Sequence, residues 1–322
     1  VWRFSRLSVR AQLMLLLVAV LLPVLGVMLY HLAHGRQAAR AFAHERVRLL
    51  AHTAAGGLGN LLRDHEAVLK RIAQRPMVMA LDEQACDPII VEFVKLYPEF
   101  TNLVVQDLAG RNDCSYLSQK ITREQLSGIP GYHDAITRSM MTVGDAALGP
   151  LSGRWISVLF YPVRDSQGQT TGLISLPMDL VQLGERMLGS LPQGALVVVL
   201  DKSGKILLRS RNAHTWIGRP VPVEMTHLAT SQTEGSALAI SADGVQRLFA
   251  VAPVERAGWS VLAGVPVEDV FADANAAFAS GILLALGILA LALGLAWRIG
   301  RGIVRPLDAL SLAASHVADG PT

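Results

Sequence analysis

Two uncharged blocks dominate the hydropathy pattern, Leu13–Tyr30 and Phe278–Trp297. About 20 apolar residues in a helix cover the roughly 30 Å hydrocarbon core of a bilayer, so each block predicts a membrane-spanning helix. The first run exceeds the apolar core of a secretory signal and has no clear A-x-A site before His31, which predicts an uncleaved span. Pro23 does not oppose this, because proline is tolerated in membrane helices. Arg3, Arg6 and Arg10 precede the first block, and Arg298, Arg301 and Arg305 follow the second. Such basic flanks face the cytoplasm, so both termini are expected there and everything from His31 to Asp273 on the far side.

Between the blocks the pattern begins with a helical period. Leu58, Leu61, Leu62, His65, Val68, Leu69 and Ile72 recur at i, i+3, i+4, with Arg63, Asp64, Lys70 and Arg71 on the other face. Phe42, Val47 and Leu50 form a sparser stripe upstream, as on a stalk. Gly56, Gly57 and Gly59 weaken the middle, each by up to ~1 kcal/mol against alanine, so the pattern predicts one long helix with these glycines as the place where it could be interrupted. Arg75-Pro76 marks the end. A shorter helix is predicted over Pro88–Leu96.

The period then changes to that of strands. Asn102–Val105 reads as a strand, Asp107 to Gly110 as a tight turn, and Arg111–Leu117 as the return. Asp134–Met141 predicts a short helix. A long strand over Arg154–Val163 turns at Asp165–Gly168 into Gly172–Leu176, and an amphipathic helix follows at Leu180–Leu188.

These motifs recur. Val104-Val105-Gln-Asp107-Leu-Ala-Gly110 matches Val198-Val199-Leu-Asp201-Lys-Ser-Gly204, and Tyr161–Gly168 is echoed by Ala252–Gly258. Leu173–Met178 is echoed by Val261–Val267. The offset of about 90 residues is too long for a solenoid repeat and predicts two small antiparallel α+β domains in tandem. The expected organisation is a basic N-terminus (1–12), a first span (13–30), a stalk helix (31–75), a membrane-distal domain (76–190), a membrane-proximal domain (191–273), a second span (274–297) and a cytoplasmic helix (298–322).

Composition sharpens this. Apolar residues make up 51% and charged ones 17%, with the apolar excess in the two blocks. The net charge of +3 is outweighed by the six arginines that flank the blocks, so there is no polyanion footprint and no nucleic-acid partner is expected. The two cysteines, Cys86 and Cys114, both fall in the external stretch. An even count in an oxidising compartment favours a bridge over two buried thiols. It would close a loop of about 27 residues, worth roughly 3–4 kcal/mol on a chain-entropy view.

Together these residues resemble the double Cache (tandem PAS-like) extracellular sensors. The resemblance rests on the long helix after the first span, the paired V-V-x-D-x-x-G hairpins, Ser152–Gly168 (S-G-R-W-I-S-V-L-F-Y-P-V-R-D-S-Q-G), Gly258-Trp259-Ser260-Val261, and Cys86 paired with Cys114-Ser115. It covers about Arg36 to Ala272. Arg305-Pro306-Leu307-x-x-Leu310 resembles the opening of a HAMP linker, and Leu307, Leu310, Ala314 and Val317 continue as a coiled-coil-like seam. Only the first HAMP helix is present, which implies the input half of a longer polypeptide.

The resemblance implies a homodimeric receptor. A small ligand in the distal domain shifts helix packing, the second span moves, and the HAMP helix switches an output domain. From the usual partners of such modules, a diguanylate cyclase is the first expectation, a histidine kinase the second and a chemotaxis transducer the third. A ligand-free, membrane-anchored scaffold is the rival.

For ligand contacts the resemblance points to Tyr132, after Ile129-Pro130-Gly131, as an aromatic that closes the pocket. Arg154 would offer a guanidinium to a carboxylate and Trp155 an aromatic wall, with Tyr116 on the facing hairpin. The amino-acid-binding members show R-x-W-Y and a later strand aspartate. Here Arg154 and Trp155 are adjacent, Pro177 falls near the aspartate's slot, and Asp179 lies two residues on. A carboxylate or another small metabolite is therefore expected rather than an amino acid.

No catalytic motif is present: G-x-S-x-G, Walker A, H-E-x-x-H and G-x-G-x-x-G are all absent. The histidines form no i, i+4 ligand pair with an acidic third member, so neither metal nor cofactor is expected. Asp107, Asp165 and Asp201 read as turn residues.

Overall fold

The computed structural model describes residues 9–110, 114–192, 194–230 and 236–299. Contacts divide the chain into two compact units, Val1–Phe42 with Glu268–Thr322, and Ala43–Val267.

Helix α1 (Val9–Ala73) opens the chain and α9 (Val267–Ile299) closes the described part. The uncharged blocks lie inside these two helices. Among the described residues no helix is long and apolar enough to cross a membrane. Within the second unit α1 buries Val47, Ala51, Leu58, Leu62, Leu69 and Ile72, while Leu49 is exposed. The one long helix runs through Gly56–Gly59 without the break those glycines would allow. A Cβ at Gly57 would sit 3.2 Å from the Met187 side chain, so this glycine lets another part of the fold approach an unbroken helix.

The remaining elements in chain order are α2 (Pro76–Ala80), α3 (Ile89–Leu96), β1 (Val104–Asp107), β2 (Cys114–Ser115), α4 (Arg123–Ser127), α5 (Tyr132–Arg138), β3 (Thr142–Val143), β4 (Ala147–Leu148), β5 (Trp155–Arg164), β6 (Thr170–Asp179) and α6 (Leu180–Leu188). They are followed by β7 (Leu196–Leu200), β8 (Ile206–Arg209), α7 (Ala213–Trp216), α8 (Val223–Thr230), β9 (Ser236–Ile240), β10 (Gln246–Val254) and β11 (Trp259–Pro266).

Two antiparallel sheets result. Their strand orders are β2-β1-β6-β5-β3, with β4 also on β5, and β8-β7-β11-β10-β9. The second order reproduces the first strand for strand, as the repeat predicts. In both sheets the long hairpin (β5–β6, β10–β11) lies beside a short one (β1–β2, β7–β8). The Asp165 turn closes as expected, Gly168 N–H donating to the Asp165 carbonyl at 3.0 Å. The fold is α+β, with a long N-terminal helix and two tandem antiparallel sheets.

Some boundaries move. The short helix expected at Asp134–Met141 starts earlier, at Tyr132, where Gly131 (φ 90°) turns the chain into it. Helix α4 has too few residues to show a period. It is set by a capping box in which Gln125 N–H donates to Thr122 Oγ1 (3.2 Å) and Thr122 N–H donates to Gln125 Oε1 (3.0 Å). Cys86 and Cys114 form the bridge, with Cα atoms 5.5 Å apart, tying the segment before α3 to β2.

Candidate functional site

The first sheet has two faces, and its register tells them apart. Val104 on β1 lies beside Ser175 on β6, which lies beside Phe160 on β5. Since strand side chains alternate between faces, Ile156, Val158 and Phe160 share one side with Leu173, Ser175 and Pro177. On that side α4, α5 and the turn between them bury Leu126, Ile129, Tyr132 and Ala135 against Ile156, Val158, Phe160 and Leu173.

The packing leaves a cavity of about 40 Å³. Its floor is Val104, Ile156, Val158, Ser175 and Pro177, its wall Leu117, Ile121, Leu126 and Ile129, and its rim Thr101, Asn102 and the Gly149–Ser152 loop. None of these residues is ionisable. Asn102 is engaged already: Oδ1 accepts from the N–H groups of Leu103 (2.9 Å) and Leu117 (3.2 Å), and Nδ2 donates to Ser115 Oγ (3.0 Å). Ser175 is buried, and its hydroxyl has no hydrogen-bond partner.

None of the five residues expected to contact a ligand lines this cavity. Tyr132 is a core side chain, 3% exposed, with its ring edge-on to Phe160 at 6.0 Å. Burial pushes its phenol up from the ordinary value, Arg123 pulling it down and Asp107 pushing it up to a lesser degree. Tyr116 is partly exposed and contributes a backbone N–H to the Leu103 carbonyl (3.3 Å), while its neighbour Leu117 reaches the cavity.

Arg154 and Asp179 are brought together, as partners of each other. Arg154 Nη1 donates to Asp179 Oδ2 at 2.9 Å. Asp179 also caps α6, Oδ1 accepting from the N–H groups of Val181 (2.9 Å) and Gln182 (3.2 Å). With its amide turned, Gln182 accepts from Arg154 (3.3 Å) and donates to the Pro98 carbonyl (2.6 Å). The guanidinium expected to meet a ligand's carboxylate thus already has one. This pair sits near the rim, since Arg154 N–H donates to the Oγ of Ser152 (3.3 Å), a lining residue.

Trp155 faces away. Ile156 lines the cavity, so the alternation turns Trp155 to the opposite side, where its ring packs on Gly218 after α7. The aromatic wall expected of Trp155 is instead a contact between the two sheet domains. The proposed transmission residues Arg305, Pro306, Leu307 and Leu310 lie outside the described residues.

The lining residues escaped the sequence reading for definite reasons. Leu126 is carried by α4 and Ile129 by the turn after it, and the only signal of α4 is the T-x-x-Q box at Thr122–Gln125. Ser175 sits inside an apolar strand, where an unpaired hydroxyl gives no pattern.

A family model described as Cache domain (dCache_1) matches residues 35–274. The chain belongs to the Cache domain family. No curated protein matches it. Among solved structures it is similar to the extracellular domain of a protein assigned as a histidine kinase, rpHK1S-Z16, at 16% identity and a TM-score of 0.59, covering 70% of this chain and 95% of that one. It is also similar to the ligand-binding domain of the Pseudomonas fluorescens chemoreceptor CtaA in complex with L-isoleucine (16%, TM-score 0.56, 74% and 98% covered). A third is that of the Pseudomonas aeruginosa PAO1 amino acid chemoreceptor PctB in complex with L-Arg (15%, TM-score 0.55, 71% and 97% covered). At these identities the likeness is one of fold.

Proposed function

We propose that this member of the Cache family is the input region of a homodimeric bacterial receptor in the inner membrane. It senses a small extracytoplasmic molecule and passes the signal through α9 and a HAMP helix to a cytoplasmic output domain. The observation that carries this reading is the pair of sheets with the same strand order, lying between the helices that hold the two uncharged blocks. In this reading both blocks cross the membrane, the sheets are periplasmic, and the cavity on the first sheet is the ligand site. The ligand acts by binding two conformations with different affinity, and α9 reports the difference. The chain itself carries no catalytic role.

A diguanylate cyclase is the proposed output. A histidine kinase or chemotaxis transducer is the second reading, favoured by the receptors whose extracellular domains share this fold. A G-G-[DE]-E-F motif, an H-box with an ATP-binding region, or a long methylatable coiled coil joined to the HAMP helix would separate the three.

Reporter fusions test the topology. Green fluorescent protein joined after Thr322 should fluoresce, and alkaline phosphatase in its place should be inactive. Alkaline phosphatase joined after Gly189, downstream of the first block alone, should be active. The opposite pattern would sink the reading.

A further inference from the structure

We propose that Arg209 and Arg247 form a carboxylate-binding site on the second sheet, and that the chain keeps this site filled with its own Asp243.

The register places the site. Val198 on β7 lies between Arg209 on β8 and Leu262 on β11, and Leu262 lies beside Val251 on β10. The corresponding row on the first sheet is Ser115, Val104, Ser175 and Phe160. Arg247 precedes Val251 by four positions, as Ile156 precedes Phe160. Arg247 therefore stands on the same face, at the register position that Ile156 takes in the cavity floor. Asp243 precedes Arg247 by four positions, as Ser152 of the rim precedes Ile156. Where the first sheet carries an apolar cavity, the second carries two guanidinium groups and a carboxylate.

Their geometry is that of ligand recognition. Arg247 Nη1 donates to Asp243 Oδ1 at 2.7 Å and Nη2 to Oδ2 at 3.0 Å, the two-pronged arrangement by which arginine selects a carboxylate. Ser241 Oγ donates to Oδ1 at 2.6 Å, and Arg209 Nη2 lies 3.6 Å from Oδ2. Trp216 backs the site, with the Arg209 guanidinium 5.0 Å from its ring centre. Both arginine side chains are 2% exposed and that of Asp243 is 27% exposed, so the carboxylate closes the site from its solvent side.

Charge explains why the site is kept filled. Among the described residues, both guanidinium groups form their ion pair with this one carboxylate. Arg209 Nη2 and Arg247 Nε have no hydrogen-bond partner. Two buried cations that share one anion are under-compensated, and losing that anion would leave both without a counter-charge. Asp243 is joined to Arg247 through the β9–β10 turn, and such a tethered group acts at high effective concentration. A free carboxylate has to compete with it. In the receptor proposed above, this contact makes the second domain a transmitting unit and leaves the response to a ligand with the first.

The test compares formate with chloride, at equal ionic strength, on the intact chain in detergent. Asp243→Ala removes the carboxylate, and formate has its size and charge. The variant should melt below the wild type, and rising formate should restore about half or more of the lost Tm while chloride does not. The wild type should melt at the same temperature in both salts. Arg247→Met in the Asp243→Ala background should abolish the formate response. Should Asp243→Ala alone fail to fold, adding Arg209→Met removes one stranded charge and keeps the Arg247 fork, and this double variant is expected to show the same rise. A folded Asp243→Ala or double variant that melts alike in both salts would overturn the carboxylate site. A formate-dependent rise in the wild type would overturn its being self-filled, because the site would then be open to outside anions.

Discussion

The ring of Trp155, at the start of the first sheet's long hairpin, packs on Gly218 beside the second sheet. A Cβ at Gly218 would lie 2.2 Å from the ring, and its φ is +81°. Only glycine meets both demands at once, since other residues rarely adopt that backbone and none could leave the ring in place. Gly218→Ala should therefore cost more than the ~1 kcal/mol typical of strain at positive φ alone. Trp155→Ala should remove most of the excess when combined with it. Denaturant melts of the two single variants and the double variant measure this coupling, and additive effects would count against the contact.

Asp179 and Arg154 should contribute unequally although they share one ion pair. Asp179 caps α6 from a buried position, whereas the Arg154 side chain is 56% exposed. Asp179→Ala should cost about 1–2 kcal/mol through the lost cap, and Arg154→Ala less than ~1 kcal/mol because exposed partners are screened. Urea unfolding midpoints test the order of the two.

Asp145 has a pKa raised by burial, then by the charge of Asp201, with Lys202 and Lys205 opposing. A carboxyl raised on folding favours the proton-bound native state. Stability is thus fully present below the unfolded value near 3.8 and declines as pH rises through the folded value. Asp145→Asn should stabilise the protein at pH 7 and remove that decline. Thermal melts between pH 3 and 8 compare the two proteins.

Asp243 behaves in the opposite sense. Burial acts to raise its pKa, but hydrogen bonds from Arg247 and Ser241 and the charge of Arg247 outweigh this and hold the carboxyl well below its usual range. Its contribution is present above pH 3.8 and is lost as pH falls through the lower folded value. Arg209 and Arg247, each with a side chain 2% exposed, face this carboxylate. Asp243→Asn should cost about 3–5 kcal/mol at pH 7, because it strands buried guanidinium charge, and should flatten the acid limb of the stability curve.

Reducing the Cys86–Cys114 bridge should lower stability by about 3–4 kcal/mol, through the freedom returned to the unfolded chain. Melts with and without dithiothreitol should differ for the wild type and coincide for Cys86→Ser/Cys114→Ser.

The amino-acid sequence by itself determined what local chemistry and pattern control. The repeated V-V-x-D-x-x-G turns and the apolar strands beside them specified two like sheets, and the i, i+3, i+4 stripe from Leu58 to Ile72 specified the buried face of α1. These depend on side chains within a few residues of one another, which is why they could be read along the chain. Tertiary structure alone decided the site. Trp155 belongs to the domain contact because the pleat turns it away from Ile156, toward a glycine 63 positions further on. Arg154 met its carboxylate in Asp179 rather than in a ligand because the β5–β6 register brings those strand ends together. The cavity depends on how α4, the turn after it and the Gly149–Ser152 loop settle over the sheet. Ser175 has no partner for a reason no window of sequence contains: no acceptor or donor from any other element was brought to it.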